Sequence, residues 1–320
     1  MREIPNNVAL PLFAGLRYAS QMTDKALIAF QQIVWDYYRG YGRHDLPWRT
    51  PEPDGSYDPY KIMVSEIMLQ QTQVSRVIPK FNAFLQRFPD VEVLAAAPLA
   101  EVLKYWSGLG YNRRAKFLWQ AAQQIVHEHE GRLPDNLPGL VGLPGIGPNT
   151  AGAILAYAFN CPVLFIETNI RTVYIHHFFS GQERVADKTI TDILLETLPN
   201  QRPGRAARQN VFHFAGAMRN PEGVSHIREW YWALMDYGTH LKQTAGNAAQ
   251  ASAHYVKQSA FAGSRRQIRG HVLRLLGQGP LTRKRLAEVV TDNRLLSVLA
   301  DLQAEGFIEH GKSGYKLTGS

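Results

Sequence analysis

The chain has 320 residues, 45% hydrophobic and 19% charged, enough for two or three domains with sizeable cores and too apolar for wholesale disorder. Thirty-five Lys and Arg against 27 Asp and Glu give a formal charge of +8, which suits a polyanionic partner without naming one. The single cysteine, Cys161, excludes a disulfide framework, a four-cysteine zinc site and a cysteine-ligated iron–sulfur cluster.

Residues 1–22 have no clear period and read as an N-terminal arm. No charged-then-apolar leader opens the chain and no run of about 18 apolar residues occurs, so a soluble cytoplasmic protein without membrane association is expected. From Thr23, apolar residues at Leu27, Ile28, Phe30, Ile33, Val34, Tyr37 and Tyr38 recur at helical spacing, with Thr23 or Asp24 as cap. The stretch Gly42 to Asp58 is rich in Pro, Gly and Asp and reads as a loop. Short helices are predicted from Tyr60 to about Asn220, broken at Pro89-Asp90, Gly108–Tyr111, Leu133–Pro138 and Pro144–Pro148. Hardly any segment alternates with period two before residue 300, so the main body is predicted all-α.

Residues 243–262 are Ala-, Gln- and Ser-rich and read as a frayed helix or linker. Beyond Gly263 the pattern gives a helix over Ile268–Leu276, a second capped by Pro280-Leu281-Thr282 and reaching Val290, and a third from Asp292 to Glu305. Phe307–His310 and Tyr315–Leu317 then flank Gly311–Gly314 as a hairpin. Three helices followed by a β-hairpin is the order of a small winged-helix (α+β) domain. Residues 263–320 hold ten Lys and Arg against five Asp and Glu, which is +5 of the chain's +8. Such a module binds DNA or a protein partner, and its sequence leaves both open.

LPGIGPNTAG (143–152) lies between two helical patterns. Gly145 and Gly147 allow a tight turn and close backbone approach, and Pro148 suits a first helical turn. Backbone N–H groups of Asn149 and Thr150 would then face outward as an anion site, unless the segment is only a helix–turn–helix corner. A nucleotide fold is disfavoured, because no β-branched strand precedes the glycines. The eleven histidines include His176-His177, His213 and His240. Adjacent helical residues diverge by about 100°, so the pair cannot share one ion from that face, and no metal site is expected. Trp230, Tyr231 and Trp232 read as helix-packing aromatics.

Leu-Pro-Gly-Ile-Gly resembles the helix-hairpin-helix motif that binds the DNA backbone without reading sequence. With SEIMLQQTQV (65–74), SGLGYNRRAK (107–116), LPGIGPNTAGAIL (143–155) and FIETNIRTVY (165–174), the chain resembles the helix-hairpin-helix DNA glycosylase superfamily. The nearest similarity is to adenine glycosylases of the MutY type, with mismatch thymine glycosylases a close second, over roughly residues 25–240. The resemblance implies a two-lobed all-α fold with DNA in the cleft, residues 45–158 forming one lobe and 23–44 with 159–262 the other. It implies a monomer in the bacterial nucleoid, acting in base excision repair on double-stranded DNA that contains a mismatch or damaged base.

By the same resemblance, Glu66 protonates the departing base, which needs a carboxylic acid kept proton-bearing in a partly apolar setting; otherwise Glu66 merely caps or pairs. Gln71 stands where the family enters the duplex, with Gln70 beside it as a further DNA-binding residue, and Tyr111, on a turn that Gly108 and Gly110 allow, stands where the family wedges into the stack. Arg113, Arg114 and Lys116 follow as phosphate contacts, a solvated basic face being the alternative.

Four departures from the family pattern follow. Glu167 replaces the aspartate that stabilises positive charge on the deoxyribose, with Asn169 matching the family's asparagine. One added methylene changes the reach, and a misplacement of about 1 Å costs on the order of 100-fold in rate. A glutamate-based catalyst, a retuned substrate and a weakened enzyme all fit. Asn149 replaces the lysine of endonuclease III-type lyases, and an amide cannot form a Schiff base, so a monofunctional glycosylase is expected. Lys242 replaces the first cluster cysteine after LMDYGTHLK (234–242), so no cofactor is expected, and Tyr255 and Phe261 are expected to pack over that surface. Residues 263–320 are too short for the Nudix-like domain that reads 8-oxoguanine, which leaves the opposing base open. Adenine is the expected product; a thymine or uracil mismatch glycosylase and a non-catalytic damaged-DNA or abasic-site binder are the alternatives.

Overall fold

The computed structural model describes residues 23–199, 226–258 and 260–319. The predicted N-terminal arm and His213 lie outside the described residues. In chain order the helices are α1 (Asp24–Tyr41), α2 (Pro59–Leu69), α3 (Val74–Arg87), α4 (Val91–Ala96), α5 (Leu99–Trp106), α6 (Arg113–Glu128) and α7 (Leu137–Val141). They continue as α8 (Pro148–Phe159), α9 (Thr168–Phe178), α10 (Asp187–Thr197), α11 (Ile227–Thr244), α12 (Arg265–Leu276), α13 (Arg283–Val289) and α14 (Leu295–Ala304). The strands β1 (Ile308–Gly311) and β2 (Gly314–Leu317) close the described chain. Among the described residues no helix is long and apolar enough to cross a membrane.

The chain forms two compact units. The first holds residues 23–59, 135–141, 147–199 and 226–257. Its α1 begins where the sequence places it: the Thr23 hydroxyl accepts from the Ala26 N–H at 3.3 Å, satisfying a donor that the first turn leaves without an intrahelical partner. Leu27, Phe30, Val34, Tyr37 and Tyr38 form its buried stripe, whereas Ile28 points to solvent. The Phe30 ring meets Phe178 at 4.8 Å, Tyr174 at 5.3 Å and Trp230 at 6.1 Å, so α1, α9 and α11 share one aromatic core. Each fully buried side chain of this size contributes about 1.5–3 kcal/mol. Trp230, Tyr231 and Trp232 are all buried. The linker-like stretch forms a short 3₁₀ helix, Ala248–Ala251, against α9. Ala249 is buried there, but Tyr255 remains 37% exposed, contrary to its expected packing role.

The second unit holds Tyr60–Pro134, Gly142–Ile146 and the chain from 258 onward. Its α2 is buried on nearly all sides through Ile62, Met63, Val64, Ile67 and Met68, the signature of a helix inside a core rather than on a surface. Phe84, Phe88 and Trp106 fill the centre, and the Tyr60 hydroxyl donates to Phe88 O at 2.8 Å. The C-terminal module has the predicted order: α12, then α13 capped by Thr282 Oγ1, then α14 and the antiparallel hairpin pairing Ile308 with Leu317. Leu281 adds a bridge to Tyr315. Gly314, at φ +111°, lies so near that bridge that a Cβ would sit 2.4 Å from Leu281 O. Phe261, the other residue expected to cover a surface, is 58% exposed.

Within this unit the module rests on α6 through Glu305. Its carboxylate accepts from Arg113 at 2.7 and 2.9 Å and from Arg269 at 2.6 and 3.0 Å. The Arg113 hydrogen bonds foremost, with those of Arg269, hold its carboxyl down at about 2. Lys116 Nζ donates to the Glu305 backbone oxygen.

Candidate active site

Glu66 is the half-buried residue in the otherwise buried run from Ile62 to Met68. Its neighbours on the helix, Ile62, Met63, Ile67 and Met68, are buried and apolar.

The chain leaves α2 through a sharp turn. Gln71 has φ +55° and Tyr111 φ +46°, a left-handed backbone that is costly for side chains of this size and that clusters at functional sites. Gly108 and Gly110, at φ +97° and +73°, bend the second turn. Thus Gln71 and Tyr111, singled out for duplex entry, are both among the non-glycine residues with left-handed backbone, with Glu130, Asn160 and Arg184 elsewhere. Gln70 precedes them, half-buried.

Arg114 joins these turns. Its guanidinium donates to Ile67 O at 2.7 Å and Met68 O at 2.9 Å, and to Thr72 Oγ1, Gly110 O and Leu109 O at 3.0, 3.2 and 3.3 Å. It therefore satisfies the open carbonyls at the end of α2 and those of the Tyr111 turn. Arg114 is turned inward, not toward a phosphate as expected, and burial lowers its pKa to about 10. The basic spacing on α6 could not show this, because the partners lie up to 47 residues away. Arg113, expected to face phosphate, is occupied by Glu305.

At the hairpin, Gly145 has φ +78°, and a Cβ would lie 2.7 Å from Phe117 Cβ. Gly147 differs: it is the N-cap of α8 with φ −86°, and a Cβ there would meet nothing. Glycine at 147 is therefore not demanded by its own surroundings. Asn149, exposed in the first turn of α8, donates from Nδ2 to Ile166 O at 3.2 Å, and Thr150 follows it half-buried. The amide thereby anchors the segment that leads into Glu167.

Glu167 is the N-cap of α9, in extended backbone and without a side-chain capping bond. Its carboxyl thus stays at the positive end of the helix instead of folding back onto it. Burial raises this carboxyl above its ordinary value, outweighing the opposite pull of Arg171 and then Lys242. Arg171 is also committed to Asp187 of α10, at 2.8 and 2.6 Å. Lys242 Nζ donates to Asn169 Oδ1 at 2.5 Å, and Asn169 Nδ2 donates to Met235 O at 3.1 Å and Thr239 Oγ1 at 3.2 Å. Glu167, Asn169 and Lys242 are therefore one cluster, tied to α11 by three hydrogen bonds.

The Asp-Tyr-Gly triplet of α11 explains how that helix comes so close. A Cβ at Gly238 would lie 2.4 Å from Asn169 O. Tyr237 reaches His177 Nε2 at 2.8 Å. Asp236, 3% exposed, is gripped by Arg43 at 2.7 Å and by Arg49 at 2.7 and 3.0 Å. Sequence reasoning matched Asp236 to a family pattern and did not see this anchor.

His177 and His240 serve packing. Burial, reinforced by His176, lowers the His177 pKa to about 3, and His240 stacks on Tyr37 at 4.9 Å. No group of three metal-ligating side chains occurs among the described residues. A four-cysteine cluster does not fit this chain, since Cys161 is its one cysteine and Lys242, at the first ligand's place, binds Asn169.

Residues 64–199 match the family model of the HhH-GPD superfamily base excision DNA repair protein. The adenine DNA glycosylase of Mycolicibacterium smegmatis is 33% identical over 286 residues, covering 86% of this chain and 91% of that protein. That of Buchnera aphidicola subsp. Baizongia pistaciae is 37% identical over 176 residues, 55% of this chain; the match spans 48%, about half, of that relative's length. A thermostable thymine-DNA glycosylase structure superposes with a TM-score of 0.50 at 23% identity, over 72% of this chain and 97% of that one, and so shares the fold. This chain belongs to the HhH-GPD superfamily of base excision DNA repair proteins.

Proposed function

We propose that the protein is a monofunctional DNA glycosylase that acts as a monomer on duplex DNA and releases adenine from a mispaired or damaged site. The observation that carries the reading is Glu167, a carboxylate at a helix N-cap immediately after the hairpin, held by the Asn149 anchor and the Asn169–Lys242 pair. Relatives named adenine DNA glycosylase favour adenine over a pyrimidine. In this reaction Glu66 passes a proton to the departing base, which leaves with the electron pair of its bond to C1′. The positive charge left on the sugar is met by the Glu167 carboxylate, and water then adds to C1′, loses a proton and leaves an abasic site.

Incubation with a panel of mismatched and damaged duplexes, followed by identification of the free base, tests this. Adenine is expected, with the strand intact until alkali or heat is applied. Release of thymine or uracil would replace the substrate, binding without release would leave a damaged-DNA binder, and nicking of untreated product would overturn the monofunctional assignment.

Lys242 supports the same site. The stabilising form of Glu167 is the anion, and Lys242 is a neighbouring cation that lowers its pKa. In Lys242→Met the carboxyl should hold its proton to higher pH, so the acidic limb of the single-turnover rate should shift upward. Activity should recover with rising pH, and Lys242→Arg should keep the wild-type limb. A rate lowered equally at all pH values would make Lys242 purely structural.

A further inference from the structure

In the second unit the Tyr111 turn is embraced by the C-terminal module. The Tyr111 hydroxyl accepts from the Arg266 guanidinium and from Gln258 Nε2, the latter at 2.6 Å, while Gln258 also reaches Gln71 Oε1 at 3.4 Å. The Arg266 guanidinium lies over the tyrosine ring, 4.7 Å from its centroid, a geometry in which the cation meets the electron-rich face. The two strained residues, Gln71 and Tyr111, thus have their polar ends set by residues that follow the helical body in sequence.

Cavities lie on both sides of this contact, and their charges differ. One, of about 440 Å³, is lined by Arg113, Arg265 and Arg269 together with Asp301 and Glu305. Its carboxylates take up part of that charge: Arg113 and Arg269 bind Glu305, and Arg265 binds Asp301 at 2.5 Å, while Arg114 and Arg266 also line it. The other, of about 680 Å³, runs past Gln71 and Tyr111 and is lined by Arg76, Lys104, Arg266, His271 and Arg274, with no carboxylate among its lining residues. Arg76, Lys104 and Arg274 are exposed. A concave surface that concentrates one sign of charge focuses its field on a ligand of the opposite sign.

The module's own helices sharpen this. In a free-standing helix-turn-helix protein the recognition helix enters the DNA groove. Here α14, LLSVLADLQA, carries no Lys or Arg, and its Asp301, with Glu305 just beyond, pairs with arginines inside the unit. On α12 the exposed Arg274 instead lines the trough beside Tyr111.

We infer that this trough is a nucleic-acid subsite, built jointly by the helical body and the C-terminal module, which holds the phosphodiester backbone next to the base step that Tyr111 enters. Arg76 and Arg274 contact phosphates from opposite walls, and Arg266 with Gln258 fixes the angle of the tyrosine. The inference rests on the DNA-directed reading of Tyr111, and it assigns the module to the enzyme's own substrate and not to a protein partner.

The test is binding of the full chain to a duplex with a tetrahydrofuran abasic analogue, titrated across salt, for wild type and the double variant Arg76→Ala with Arg274→Ala. Both residues are exposed, and circular dichroism verifies folding. Each phosphate contact adds about 0.9 to the slope of log K against log salt, so the double variant should show a slope shallower by about 1.8 and an affinity at least about tenfold weaker at low salt. Unchanged affinity and slope would overturn the subsite. Tighter binding by the variant would also overturn it, marking the module as a cover that DNA displaces. The readout is binding to a product analogue, so it does not depend on base excision; a wild-type chain that fails to bind any duplex would sink the DNA reading itself.

Discussion

Glu66→Gln is expected to slow single-turnover base release by about 10²–10⁴-fold, the range that a positioned general acid contributes. The amide keeps the size of the side chain on buried α2 but cannot pass a proton to the leaving base. Glu167→Gln should cost about 10²–10³-fold, because it removes the charge that meets the developing cation while keeping the reach. Glu167→Asp is the sharper comparison. It restores the residue type that the wider superfamily pattern places here, yet the preceding backbone is pinned by Asn149 to Ile166 O and the following turn by Asn169 to α11. A shorter carboxylate on a fixed backbone should lose on the order of 100-fold. Chemical-quench measurement of free base on the preferred duplex decides each case. A near-wild-type rate in Glu66→Gln or Glu167→Gln removes that residue from the mechanism, and a fully active Glu167→Asp would show that the carboxylate alone matters, not its reach.

Asp236→Ala should produce the largest loss of stability, about 3–5 kcal/mol, the usual result of removing one member of a buried ion pair. It would leave Arg49, itself 6% exposed, facing Arg43 with no counter-charge. The same residue predicts a pH dependence. Burial would raise the Asp236 carboxyl, but the Arg49 hydrogen bonds and the charges of Arg49 and Arg43 outweigh it and hold it below its ordinary 3.8. A depressed folded-state value means that the contribution is fully present above pH 4 and is lost as pH falls through that value. Urea unfolding should therefore separate wild type from Asp236→Ala widely at pH 7 and less at an acidic pH below the ordinary 3.8. An equal gap at both values would show that lost packing, not lost charge, sets the effect.

The sequence made the elements visible wherever the cause is local. Thr23 and Thr282 mark helix starts because a hydroxyl caps the nearest free N–H groups, and Gly311–Gly314 marks the hairpin because the turn needs glycine. The motifs also contained two of the strained positions, Gln71 and Tyr111. What stayed hidden is the direction of long side chains. Arg113 and Arg114 are neighbours in one basic run, yet one binds Glu305, 192 residues away, and the other turns into the core. Lys242 meets Asn169 across 73 residues, and Arg49 meets Asp236 across 187. No spacing rule encodes such pairs, since they exist only once two helices pack. Tyr255 and Phe261, whose aromatic character promised burial, remain 37% and 58% exposed.

On the proposed DNA-directed reading of Gln71 and Tyr111, the inward arginine has a further consequence for how the duplex is entered. One guanidinium holds the carbonyls behind Gln71 and those behind Tyr111, so the glutamine and the tyrosine form a two-pronged fork on a single handle. Prongs on one handle cannot be inserted one at a time. Their single substitutions should therefore be strongly non-additive in DNA distortion, and loosening the handle should blunt both prongs together.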